Sequence, residues 1–139
     1  MEEQKVVFVV EDDPVQQKML QVHFEQLQGN YQVKTYADPK DMMQHLSEKP
    51  FAIVLDHFFA DKQKTGLDYL AELRKSHRHL PVIYYTTLND ESVKKKVADL
   101  GAEEYIIKDS ASLVRLRTAL DALNAKSKKK GIFGRLFGK

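Results

Sequence analysis

The chain reads as an α/β domain on a doubly wound, five-stranded parallel sheet, and three observations predict it. Short apolar runs, KVVFVV at 5–10, FAIVL at 51–55 and LPVIYYT at 80–86, have strand length and no polar alternation, the pattern of strands buried on both faces. Segments with helical start signals separate these runs. Strands that alternate with helices are joined by right-handed crossovers, which makes the strands parallel and covers both faces of the sheet with helices. With 139 residues, 42% of them hydrophobic, the chain suits one domain with a sizeable core.

Each element follows from local chemistry. After Lys5–Val10 the chain meets Glu11, Asp12 and Asp13; Asp13 before Pro14 is a helix cap followed by the proline of the first turn. Val15, Leu20, Val22, Phe24 and Leu27 ride that helix up to Gly29. Tyr31–Tyr36 alternates Tyr, Val and Thr with polar residues, a second strand, and Asp38-Pro39 opens a helix carrying Met42, Met43 and Leu46 that Lys49-Pro50 ends. Phe51–Leu55 delivers Asp56 at its C-terminal end. The loop HFFADKQKTG leads into a helix over about 67–75, and Leu80–Thr86 is the fourth strand. Asn89 or Asp90 caps a short helix through Val93, Val97 and Leu100 to Gly101; Tyr105–Ile107 is a short strand ending in Lys108; Ser110 starts a last helix reaching about Ala125. The division is therefore a domain over 1–125 and a tail over 126–139.

Composition excludes several classes. With no cysteine, disulfide scaffolds, thiolate metal sites and cysteine nucleophiles are ruled out. The acidic N-terminus MEEQK precedes only five apolar residues, so neither a signal peptide nor a membrane span is expected, which points to a cytoplasmic location. The formal charge of +2 hides an asymmetry: 1–125 carry 16 basic and 20 acidic residues, whereas 126–139 hold six basic residues and no acid. An acidic body has no face to neutralise phosphates, so DNA binding is not expected of it.

The working crevice of such a sheet lies beyond the C-terminal ends of its strands, where the connections reverse. There the sequence places Glu11, Asp12 and Asp13 after the first strand, Asp56 after the third, Thr86 and Thr87 after the fourth, and Lys108 after the fifth. Crowded carboxylates repel unless a cation joins them, and oxygen donors without His or Cys suit a hard ion such as Mg²⁺. Mg²⁺ takes few carboxylates and completes its shell with water and phosphate oxygens, so a phosphoryl group is expected. Lys108 offsets its charge, Thr86 donates to it, and Asp56 is the nucleophile.

These residues carry a resemblance. VVEDD at 9–13, AIVLD at 52–56, PVIYYTT at 81–87 and GAEEYIIK at 101–108 stand in order at successive strand ends, and over about 5–125 the chain resembles a response-regulator receiver domain of the stand-alone, chemotaxis-regulator kind. The resemblance implies the flavodoxin-like (βα)5 receiver fold and phosphorelay signalling. Asp56 then accepts a phosphoryl group from a histidine kinase or phosphotransfer protein. Asp12 binds Mg²⁺ together with Asp56 and the backbone carbonyl of Phe58, Glu11 acts through water, Thr86 and Lys108 hold the phosphoryl oxygens, and Tyr105 is the aromatic switch. It implies a signalling domain and not an enzyme, limited to Mg²⁺-dependent self-phosphotransfer and slow autodephosphorylation, the latter because Phe58 and Leu88 flank the water path. A phosphatase with an Asp nucleophile would need an acid where Phe58 stands. Nothing after 125 is expected to be long enough for an output domain, so the output is binding of a downstream protein through the face of the fourth helix, fifth strand and fifth helix.

Three positions depart from the family pattern. Ala60 and Lys64 replace its usual Pro and Gly, with Gly66 two places later, so the loop after Asp56 is longer; Asp109 replaces the proline after Lys108; and Thr87 replaces a small residue. A non-proline cis bond costs roughly 3 kcal/mol, so the bond after Lys108 is expected to be trans. These departures motivate the alternative of a phosphorylation-independent interaction module on the same scaffold. Neighbouring side chains of a strand face opposite ways, so His57 is expected to point away from Asp56, tuning it locally or facing solvent. His77 and His79 suit a helix C-terminus.

The tail KSKKKGIFGRLFGK lies outside the family pattern. Ile132, Phe133, Leu136 and Phe137 would form one apolar face on a helix beside Arg135 and the lysines, while Gly131, Gly134 and Gly138 each cost about 1 kcal/mol of helicity. Three readings stay open: a solvated tail, a partner-docking peptide, and an anchor on anionic membrane.

Overall fold

The computed structural model describes residues 4–27 and 31–136, with side chains for all of these except 27 and 131–136. In chain order the elements are β1 (Lys5–Val10), α1 (Pro14–Leu27), β2 (Tyr31–Tyr36), α2 (Pro39–Met43), β3 (Ala52–Leu55), α3 (Gly66–Ser76), β4 (Val82–Thr86), α4 (Glu91–Asp99), β5 (Glu104–Ile107) and α5 (Ser112–Leu136). All strand pairs are parallel, in the order β2-β1-β3-β4-β5. The order reverses between β1 and β3, which opens the crevice at their C-terminal ends.

Strand alternation builds two core layers. Val7 and Val9 of β1, Val54 of β3 and Tyr85 of β4 pack with Phe24 of α1 and Leu116 of α5. The intervening residues, Phe8, Val10, Leu55 and Tyr84, pack on the other face with Leu70 of α3 and Val97 of α4. The apolar runs therefore have no polar alternation because both faces are covered.

Four expectations need correction. The helix opened by Pro39 stops at Met43; the chain tightens into a 3₁₀ turn at Leu46–Glu48, and Lys49, in the left-handed region at φ 55°, turns it toward β3. Leu46 is buried all the same. On α1, Leu20 and Phe24 enter the core, but Val15 is 70% exposed and Val22 also faces solvent, because α1 packs on the sheet along a narrower stripe than its apolar content suggests. The last helix starts at Ser112, with Asp109 accepting from the Ala111 N–H at 2.9 Å. It also runs past Ala125 to Leu136, because the Ala, Lys and Leu around Ser127 are good helix formers and outweigh Gly131 and Gly134. Gly29, Gly138 and the Phe137 side chain fall outside the described residues, as do the side chains of Ile132, Phe133 and Leu136. Among the described residues no helix is long and apolar enough to cross a membrane.

One side chain locks the end of the sheet away from the crevice. Arg74, in the last turn of α3, donates to the carbonyls of Leu100 (2.7 Å), His77 (2.8 Å), Leu80 (2.8 Å) and Gly101 (3.2 Å). These are the orphan carbonyls where α3 and α4 end and β4 is about to begin. Gly101 takes φ 77° there, which a side chain would resist. Arg74→Met keeps the aliphatic stem and leaves these carbonyls without their donor, and urea denaturation should show a loss of about 2 kcal/mol; a loss under about 0.5 kcal/mol, the scale of an ordinary surface substitution, would contradict the role.

Candidate functional site

Four strand ends build the site. Glu11 follows β1 and is fixed by its N–H to the Tyr36 carbonyl at 2.9 Å. Asp56 follows β3, its N–H on the Val10 carbonyl at 3.2 Å; Lys108 follows β5, its N–H on the Thr86 carbonyl at 2.8 Å. These bonds continue the parallel ladder one residue past the strands, so the side chains converge. Lys108 Nζ lies 2.7 Å from Glu11 Oε1 and 2.9 Å from Asp56 Oδ2. The Thr86 hydroxyl favours the ionised form of Asp56 and accepts from the Leu88 N–H at 3.3 Å. Glu11, Asp56 and Thr86 are all buried.

Burial and the adjacent Asp56 push the Glu11 carboxyl up to about 7, against the pull of Lys108. Burial also opposes ionisation of Asp56, but bonds from Glu11, Lys108 and Thr86 outweigh it and hold its carboxyl below the usual range. Burial likewise works against the Lys108 charge, yet both acids hold its ammonium above the usual lysine value. Asp56 is thus the more acidic of the pair and Glu11 the less acidic. Two acids share one ammonium, so with both ionised the pocket has one negative charge in excess.

Asp12 stands apart from this triad. It is half-buried and lines a cavity of about 430 Å³ with Asp38, Phe59, Asp61 and Tyr69. Its N–H donates to Glu11 Oε2 at 3.1 Å. Asp13 is a cap: its Oδ1 accepts from the Val15 N–H at 3.0 Å. Phe58 is 51% exposed. Tyr105 is half-buried, its hydroxyl donating to the Leu88 carbonyl at 2.5 Å and its ring stacked on Tyr84 at 5.3 Å.

Residues 7–121 match the family model described as the response regulator receiver domain. The chain belongs to that family. It is 30% identical over 115 residues to a probable C4-dicarboxylate response regulator, DctR, of Halalkalibacterium halodurans, covering 82% of this chain and 49% of the relative. It is 31% identical over 123 residues to the transcriptional regulatory protein MalR of Bacillus subtilis, covering 88% and 51%. The chain thus spans about half the length of the curated relatives it matches. Among solved structures it resembles the phosphorylated cyanobacterial phytochrome response regulator RcpA, 26% identical with a TM-score of 0.69 over 82% of this chain and 86% of the other. The receiver domain of a LuxO repressor protein from Vibrio parahaemolyticus, 20% identical, shares the fold at a TM-score of 0.80 over 94% and 98%.

The receiver family normally holds Mg²⁺, and the donors here fit that ion in kind: the acids present oxygen only, in excess over the one ammonium. Among the described residues no three acidic, His or Cys groups lie close enough to cage an ion. Mg²⁺ needs no such cage, since it keeps several waters beside one or two carboxylates.

The departures from the receiver pattern resolve locally. The long loop after Asp56 closes at Gly66, whose N–H donates to the His57 carbonyl at 2.9 Å; Thr65 and Asp68 cap α3 there, the Thr65 N–H on Asp68 Oδ2 at 2.7 Å. Asp109 is joined to Lys108 by a trans bond and pairs with Arg115 at 2.9 Å, and Thr87 is exposed. The solvent-facing alternative for His57 is overturned. It does point away from Asp56, but that face lies under α3, and His57 is buried with Nδ1 2.6 Å from the Tyr84 hydroxyl. The pairing of His57 with Tyr84 was not read from the sequence. The signal available was the spacing of Tyr84 and Thr86, two apart and so on one face of β4.

A Cβ on Gly66 would stand 1.9 Å from the Asp56 carbonyl oxygen and 2.8 Å from the Tyr84 hydroxyl. Backbone cannot yield as a side chain does, so Gly66→Ala should lose about 3 kcal/mol in urea denaturation, the upper range for overpacking; wild-type stability would contradict the close approach.

Proposed function

We propose that Asp56 is the phosphoacceptor of this receiver domain, taking its phosphoryl group from a phosphohistidine of a histidine kinase or phosphotransfer protein. The observation that carries this is Lys108 Nζ on Asp56 Oδ2 and Glu11 Oε1, with Thr86 on the same carboxylate. An ionised Asp56 oxygen attacks phosphorus; the O–P bond forms, the N–P bond breaks, and imidazole leaves. Lys108 and Thr86 then face the phosphoryl oxygens, as an ammonium and a hydroxyl suited to growing negative charge. Asp12, Asp56 and the Phe58 carbonyl would hold Mg²⁺, with Glu11 through water, and the ion would supply charge neutralisation during transfer.

The domain would report its state by protein contact, through α4, β5 and α5 around Tyr105. DctR and MalR are named a response regulator and a transcriptional regulatory protein, about twice as long, and those activities belong to the whole relatives. A phosphorylation-independent module is the less favoured reading, because the buried acid, lysine and threonine of a receiver are all in contact.

Incubation with acetyl phosphate and Mg²⁺ should add the mass of one phosphoryl group, lost in Asp56→Asn and on chelation of the metal. No added mass, or mass that survives Asp56→Asn, would overturn the assignment. With Phe58 and Leu88 flanking the water path to the phosphoaspartate, the phosphorylated form should persist for minutes; decay in seconds would contradict that reading.

The end of α5 supports a second role. A 25-residue helix is about 37 Å long, against about 20 Å for the longest strands, so α5 outruns the sheet. Lys126, Lys128, Lys129 and Lys130 are exposed on that extension. It would dock on an anionic surface, and removing 126–139 should abolish sedimentation with phosphatidylserine vesicles if the surface is lipid, or partner binding in solution if it is protein. Deletion without effect on either would refute docking.

A further inference from the structure

Tyr84 is fully buried, and its ring would pack as well without a hydroxyl. That hydroxyl is hydrogen-bonded at 2.6 Å to Nδ1 of His57, a residue on a different segment. His57 in turn donates its backbone N–H to Asp56 Oδ1 at 2.6 Å.

The other side of Tyr84 faces the output surface. β4 and β5 pair Tyr84 with Tyr105 in register, and the rings stack at 5.3 Å with 29° between planes. Tyr105 is pinned by its hydroxyl to the Leu88 carbonyl in the loop before α4, and Lys94 of α4 lies 5.8 Å above its ring. A continuous path of short contacts therefore runs from Asp56 Oδ1 through the His57 amide and imidazole, the Tyr84 hydroxyl and ring, and Tyr105 to Leu88. It leaves Asp56 through Oδ1, whereas Lys108 bonds Oδ2.

We propose that Tyr84 is the positioning residue that carries the state of Asp56 to the α4–β5 face, held by His57 on one side and stacked on Tyr105 on the other. The proposal rests on the phosphoacceptor reading of Asp56. Converting the carboxylate to an acyl phosphate takes charge from the oxygen that the His57 N–H bonds. The amide then loses a charged acceptor, and the imidazole moves with it because the two share one residue. Through a 2.6 Å bond the Tyr84 hydroxyl follows, and the stacked ring of Tyr105 is displaced relative to Leu88.

The test uses the full chain with Mg²⁺ and beryllofluoride, read by amide shifts at 88–94 and Tyr105, beside phosphoryl uptake from acetyl phosphate by mass. Tyr84→Phe keeps the ring and stacking and removes only the hydroxyl. Its phosphoryl uptake should stay within about twofold of wild type, while its beryllofluoride shifts fall by half or more, as loss of one buried hydrogen bond worth roughly a fivefold equilibrium change would give. His57→Asn, whose Oδ1 takes the place of Nδ1, should retain the shifts, and His57→Leu should lose them. A merely structural role would make both His57 variants alike. Wild-type shifts in Tyr84→Phe, or His57→Asn as impaired as His57→Leu, would overturn the coupling and leave the phosphoacceptor reading intact. A wild-type chain that neither takes phosphate nor responds to beryllofluoride would remove that reading, and the coupling with it.

Discussion

The ammonium of Lys108, buried between two carboxylates, is the constraint on which the rest of this receiver depends. A lone buried carboxylate would simply protonate, and two side by side would repel. Lys108 spans the gap from β5 to the ends of β1 and β3, and it favours the ionised form of Asp56 while burial and Asp56 hold the Glu11 carboxyl up. With both acids ionised, the pocket holds a nucleophilic carboxylate and one negative charge beyond what Lys108 offsets. It also explains why the sheet order matters, because only neighbours across the β1/β3 reversal bring these residues together.

Most of the fold and half of the site were legible in the sequence for the same reason. Parallel strands buried on both faces print as unbroken apolar runs, and their C-terminal ends mark the crevice, so Glu11, Asp56, Thr86 and Lys108 could be placed without coordinates. What escaped depends on tertiary neighbours. His57 faces away from Asp56 as alternation requires, yet nothing local says that α3 covers that side. Arg74 reads as a cation suited to a helix end, but its bonds also reach the end of α4, 26 residues on. The length of α5 was misjudged because glycines and a lysine run look like a stop, whereas the helix formers beside them carry it to Leu136.

The departures from the family pattern illustrate how a conserved geometry tolerates different residues. The longer loop after Asp56 ends on Gly66, and the glycine is needed there because the helix start sits on the Asp56 carbonyl. Asp109 trades a proline for an ion pair with Arg115 and a cap on the start of α5, so Lys108 keeps its place. Tyr84 and Tyr105 add an aromatic stack on β4 and β5 that joins the buried site to the surface of α4.

Phosphoryl transfer as proposed requires that the pocket take a divalent cation, which Asp12, Asp56 and the Phe58 carbonyl would hold, with Glu11 through water. Titration of the ¹⁵N-labelled chain with MgCl₂ tests this most directly. A saturable shift confined to the amides around 11–13, 56–59 and 108 is predicted, and it should be lost in Asp12→Asn. Amides that stay unmoved through millimolar Mg²⁺, or that move equally over the whole surface, would contradict it.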